Sequence, residues 1–206
     1  MGHNADPAVR AAWLDDMFLP PDVLEWALNV VVVHSAGQTI LIDAGMGAEF
    51  PDLPRAGRLV QRLEAAGIVS MPPGFPDALR RTAKRFLNEY HSQLRPFEAE
   101  YEVAPGVLVR RTGGHTPGHS VVRLASGGDR LTFAGDDVFQ VGFDHPDWYN
   151  GFEHDPEEAA RVRVRLLREL AANRESLVAT HLSFPSVCHV AVAGDVFRWV
   201  PGPWEY

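Results

Sequence analysis

The chain alternates between stretches of two hydrophobic periods. Ala27 to His34 is rich in β-branched residues, Ser35-Ala36-Gly37-Gln38 supplies turn chemistry, and Thr39 to Asp43 is apolar again. Such a pattern predicts a hairpin of two buried strands. Leu59, Val60 and Leu63 then recur at helical spacing within Leu59 to Ala66, and Ile68 to Gly74 breaks that pattern. A second helical stretch is expected over Asp77 to Tyr90, with Leu79, Phe86, Leu87 and Tyr90 on its apolar face and Arg80, Arg81, Lys84 and Arg85 on a solvated one. From Tyr101 the strand period dominates. Pro105-Gly106 and Ser126-Gly127-Gly128-Asp129 mark turns between short strands, the last of which ends near Ala134. Asp155-Pro156-Glu157-Glu158 starts a helix, with an N-cap carboxylate, proline at the first position and acids in the first turn. That helix is expected to reach about Ala172 with Ala159, Val162, Leu166, Leu167 and Leu170 inward, and Leu177-Val178-Ala179 forms a short strand after it. Strands and helices in this order predict a layered α/β fold.

Composition narrows the picture. The chain has 206 residues, 46% hydrophobic and 22% charged, which is enough to bury one core, so residues 1–206 are expected to form a single domain. Its net charge of -8 argues against general binding of nucleic acid or anionic membrane and favours a small-molecule substrate. The single cysteine, Cys188, has no partner for an internal disulfide, and the first residues carry neither a basic nor an apolar leader segment. The longest apolar run, around Val30 to Val33, falls far short of the roughly 20 residues a membrane helix needs. A soluble cytoplasmic protein is the expectation. The aromatic C-terminal stretch Trp199 to Trp204 is a candidate contact with a second copy, which would make a homodimer.

Candidate chemistry sits in the turns that follow strands. Gly114-His115-Thr116-Pro117-Gly118-His119, Ala134-Gly135-Asp136-Asp137 and Ala179-Thr180-His181 place two imidazoles and one carboxylate where three different strands end. Nitrogen and carboxylate ligands suit zinc and similar divalent ions, and a catalytic site needs about three of them plus an open position. Asp43-Ala44-Gly45-Met46-Gly47 is a further carboxylate in a glycine turn, a weak signal alone. The aromatic loop Phe143-Asp144-His145-Pro146-Asp147-Trp148 follows the segment bearing Asp136, and Phe143, His145 and Trp148 are candidate pocket residues.

Taken in order, Ile40-Leu41-Ile42-Asp43-Ala44-Gly45, His115-Thr116-Pro117-Gly118-His119, Gly135-Asp136 and Thr180-His181 resemble the metallo-β-lactamase-fold hydrolases. The likeness runs from about Asn29 onward, and Thr180 to Pro185 with Phe197 to Pro201 look most like the branch of acyl-homoserine-lactone lactonases and methyl-parathion-type hydrolases. The resemblance implies an αββα sandwich with a divalent-metal site of one or two ions, zinc being the expected metal. His115 would bind one ion, Asp136 would bridge both and act in catalysis, and His181 would bind the second. Asp43 and His119 would steady these ligands from behind. Metal-bound water would then attack an ester, lactone or phosphoester. Members of this family also carry H-x-H-x-D-H, and this chain instead passes from Gly67-Ile68-Val69 into Ser70-Met71-Pro72-Pro73-Gly74, as if a segment near 68–71 had been lost. Two readings follow: a metal-dependent hydrolase with a reduced or impaired site, or a catalytically inactive scaffold acting as a binding or assembly module.

Overall fold

A computed structural model describes residues 1–21, 26–43 and 88–203. The chain divides into two compact units, one formed by Met1–Asn29, His34–Ile40 and Ala99–Tyr206, the other by Val30–Val33 and Leu41–Glu98. The expected hairpin is present as β1 (Val31–Ser35) and β2 (Gln38–Ile42), paired in a two-stranded sheet. β1 begins later than the apolar run, because Asn29 bonds elsewhere: its N–H donates to Thr180 O at 2.9 Å. The described part of the second unit also holds a 3-10 turn at His91–Gln93. The predicted helix over Leu59 to Ala66, most of the one over Asp77 to Tyr90, and the Ile68 to Met71 junction lie outside the described residues.

The first unit is built on a seven-stranded sheet of sequential order: β3 (Glu100–Ala104), β4 (Val107–Arg111), β5 (Ser120–Ser126), β6 (Asp129–Phe133), β7 (Ser176–Val178), β8 (Cys188–Ala193) and β9 (Val196–Pro201). Every neighbouring pair is antiparallel except β6 and β7, which run parallel. A parallel step needs a long crossover, and the helix predicted from Asp155 supplies it. It follows α1 (Pro7–Asp16) and the short α2 (Val141–Asp144) and is labelled α3, spanning Pro156–Asn173. Asp155 caps α3 by accepting the Glu158 N–H, and Arg174 ends it in the left-handed conformation. Ala159, Val162, Leu166, Leu167 and Leu170 are all buried, as the apolar spacing requires. Leu166, Leu167 and Leu170 join Val121, Leu177, Val190 and Phe197 in the main core, each leucine contributing roughly 1.5–3 kcal/mol.

The N-terminal helix α1 is capped by Asp6, which accepts the Ala8 N–H. Its Trp13 packs with Phe139, Val141 and Trp148 in a second cluster and donates from Nε1 to Asp144 Oδ2 at 3.0 Å. Trp199, offered by the sequence as a contact for another subunit, is half-buried against the main core of its own chain. Among the described residues no helix is long and apolar enough to cross a membrane.

Candidate metal centre

Register alone brings the three motifs to one edge of the sheet. Phe133 of β6 pairs with Val178 of β7 in parallel, so the turns that follow both strands leave from the same end. Asp136 and His181 each lie three residues beyond that pair. Ala134 N–H donates to Val178 O and Thr180 N–H to Gly135 O, which carries the ladder into the turns. β5 runs antiparallel to β6, so its first residue lies at that end too, and the loop before it holds His115. That loop lies tight on α3: a Cβ on Gly114, whose φ is 78°, would come within 2.8 Å of Ala159 Cα. Backbone bonds from His154 N–H to His115 O and from Asp155 N–H to Gly114 O fix it there.

The Asp136 carboxylate lies between the two imidazoles and gives one oxygen to each. His115 Nε2 is 3.3 Å from Oδ2, and His181 Nε2 is 3.2 Å from Oδ1. Asp136 is the most open of the three, its side chain 34% exposed against 12% and 14%, so anything bound from solvent meets the carboxylate first. Burial works to raise its pKa; with the two imidazoles protonated on both nitrogens, their hydrogen bonds and charge outweigh it and hold the carboxyl well below the ordinary range.

Both flanking groups are fixed by bonds on their far sides. His181 Nδ1 lies 2.9 Å from Ala27 O. A carbonyl only accepts, so Nδ1 carries the proton and Nε2 is the atom turned to Asp136. His119 holds the turn itself: its Nε2 accepts the Asp136 N–H at 3.1 Å, while Nδ1 faces Thr112 Oγ1 at 2.8 Å and Asp137 Oδ1 at 3.2 Å. Thr112 donates its hydroxyl to His119 O, so the Nδ1 proton goes to Thr112. His119 therefore supports Asp136 from the backbone side.

The pocket residues proposed from sequence are placed differently. Phe143 is buried in the main core, and Trp148 packs between Trp13 and a stacked His145, with ring centroids 6.3 and 3.8 Å away. Their loop folds under α1 because its aromatic surface is covered by the N-terminal segment. The aromatic rings beside the site are instead Trp26, Phe139 and Phe152. Trp26 meets His181 edge-on at 4.4 Å and contacts Phe139 and the exposed Phe152. Asp43 ends β2 with a φ of 68° and belongs to the second unit.

Arg163 is the other residue that sequence reasoning passed over. It lies among the inward positions of α3, fully buried, and donates to Asp137 O, Pro146 O, Trp148 O and Glu153, with its guanidinium over the Phe139 ring. Burial lowers its pKa, and the charge and hydrogen bond of Glu153 oppose that. A charged residue on an apolar stripe was the available signal.

The donor set can be tested against a divalent ion. At a tetrahedral ion with bonds of about 2.0–2.2 Å, neighbouring ligand atoms sit roughly 3.3 Å apart. Both imidazole-to-carboxylate separations match that edge. His181 turns an Nε2 to the carboxylate while its proton is used on Nδ1, an arrangement that suits a cation between the two. The residues thus fit two half-sites, each with one nitrogen and one oxygen. Among the described residues no group of three or more histidine, cysteine or acidic side chains closes around a single point. All nine histidines are described, and residues 44–87 contain neither histidine nor cysteine, so no further imidazole or thiolate can come from that stretch.

The sequence description "Metallo-beta-lactamase superfamily" matches residues 55–181, more than half of the chain. No curated protein matches it. Among solved structures, AidC, a dizinc quorum-quenching lactonase, superposes with a TM-score of 0.85 at 20% identity, covering 100% of this chain and 89% of its own. The hydrolase AbOPH of the beta lactamase superfamily gives 0.78 at 21% identity, covering 95% and 87%. At these identities the likeness establishes the fold, and the α/β class expected from the strand and helix pattern stands. With the matched residues running through both the His115 and the Asp136 turns to His181, the chain belongs to the metallo-β-lactamase superfamily.

Proposed function

We propose that this protein is a metal-dependent hydrolase acting on a small ester, lactone or phosphoester, with zinc as the ion and His115, Asp136 and His181 as its holders. The observation that carries the reading is the Asp136 carboxylate set between two Nε2 atoms at 3.2 and 3.3 Å. The dizinc lactonase AidC, which shares the fold, supports the choice of metal. A divalent ion held there would supply Lewis-acid polarisation of a carbonyl or phosphoryl oxygen and a water acidified towards neutral pH. The protein's own groups do the rest. Asp136, held ionised, brings negative charge to the cation side. Ala27 and His119 keep His181 and Asp136 from rotating away, and Trp26 with Phe139 excludes water behind His181.

The test is metal analysis of purified protein in micromolar zinc, with His115→Ala and His181→Ala as controls, beside hydrolysis of aryl esters and lactones. Stoichiometric zinc lost in both variants, with turnover abolished by chelator and by Asp136→Ala, is the expected result. Absence of bound metal and of turnover in the wild type would instead favour the inactive scaffold, the reading that the missing H-x-H-x-D-H motif motivates.

A further inference from the structure

The loop that bears His181 is bound along its length to a segment about 150 residues earlier in the chain. The Asn29 carboxamide donates from Nδ2 to three carbonyl oxygens of that loop, Ala179 O at 3.0 Å, Thr180 O at 3.2 Å and Leu182 O at 2.6 Å. Its backbone N–H donates to Thr180 O as well. Three acceptors around one atom identify it as the amide nitrogen, since a carboxamide oxygen there would face only other oxygens. Two residues earlier, Ala27 O accepts from His181 Nδ1, and next to it the Trp26 ring stands against the imidazole. One side chain thus fixes the loop's carbonyls on both sides of His181 and sets the distance to the carbonyl that orients the ring.

From this we infer that Asn29 is the positioning residue for His181, acting through the loop carbonyls to keep the Nδ1 proton on Ala27 and Nε2 towards Asp136. The inference rests on the proposed metal site for its consequence and on hydrogen bonds alone for its geometry. Partners that orient a metal-binding histidine change metal affinity about 10–100-fold when removed. Without the amide, Leu182 O loses the donor that reaches it from across the chain, while Thr180 O keeps the residue 29 N–H and Ala179 O keeps the Ser186 hydroxyl, so the bond to the far side of His181 is the one that goes.

The experiment uses the full chain and zinc alone as probe. Zinc affinity is measured for wild type, Asn29→Ala and Asn29→Asp, and the His181 ring nitrogens are observed by 15N NMR, assigned by their loss in His181→Ala. The expected result is a protonated, slowly exchanging Nδ1 on His181 in the wild type, absent or fast-exchanging in Asn29→Ala, with zinc affinity about ten-fold or more weaker. Asn29→Asp, which sets a carboxylate oxygen against three carbonyls, should weaken it at least as much. Retention of the Nδ1 signal with zinc affinity within about two-fold of wild type would overturn the inference. Should the variants fail to fold, an unprotonated Nδ1 in the wild type overturns it equally. A wild type that binds no zinc sinks the hydrolase reading instead, and the NMR comparison still decides the role of Asn29.

Discussion

Gly135 has a φ of 55°, and a Cβ there would lie 2.7 Å from the His119 nitrogen that accepts the Asp136 N–H. Alanine at this position meets both a strained backbone and a displaced imidazole. Gly135→Ala should cost about 1–3 kcal/mol in urea unfolding and should displace Asp136 as well; a change below 0.5 kcal/mol, on the order of surface noise, would contradict the geometry. Cys188 offers a different test. Burial pushes its thiol from 9.0 up to about 12, so the folded state keeps the proton that the unfolded state releases. The stability linked to this group is complete below pH 9 and drains as pH rises towards 12. At pH 8 the native thiol should be inert to a disulfide reagent and react at once on denaturation. At this scale the meeting of His115, Asp136 and His181 was legible because each follows a strand in a short turn. Ala27 was not, since its contribution is a backbone carbonyl, which any residue carries. Phe143 and Trp148 were legible as aromatic and misleading as to place.

Among the elements, α3 declared itself through its cap, its proline and its apolar spacing. What it hid was Arg163, whose side chain joins the Asp137 turn to the 146–153 loop and pairs with the equally buried Glu153. Removing one member of such a pair strands the other in the core. Arg163→Leu is expected to cost about 3–5 kcal/mol, and adding Glu153→Leu should recover part of that loss, because a buried pair replaced by apolar groups is often near neutral. A double-mutant cycle in urea measures it, and simple additivity would refute the pairing. The hairpins were readable from their turns. β8 and β9 were harder to see, since β8 is apolar on both faces and its inward face runs out along the strand, Val190 being buried and Val192 on the same face exposed.

For the molecule as a whole, the one parallel step in the sheet is what makes a site of scattered motifs, since it lets β6 and β7 deliver Asp136 and His181 side by side. Sequence order foretold the fold through the turns after its strands, whereas the partners of those turns lie too far along the chain for any local pattern to reveal. On the proposed reading, zinc binds the folded state alone, so at a hundred-fold excess over its dissociation constant it should add about 2.7 kcal/mol of stability, read as a higher melting temperature that chelator reverses. An unaltered melting temperature would count against a folded-state site. The tie between Asn29 and the 179–182 loop also has a kinetic meaning. Contacts between such distant stretches close a loop of 150 residues, and the entropy they demand is recovered only after the sheet between them exists. The tie should therefore form after the folding barrier: Asn29→Ala would hasten unfolding and leave the refolding rate nearly unchanged, a signature a chevron plot displays directly. The site would then be the last part of the protein to assemble and the first to come apart.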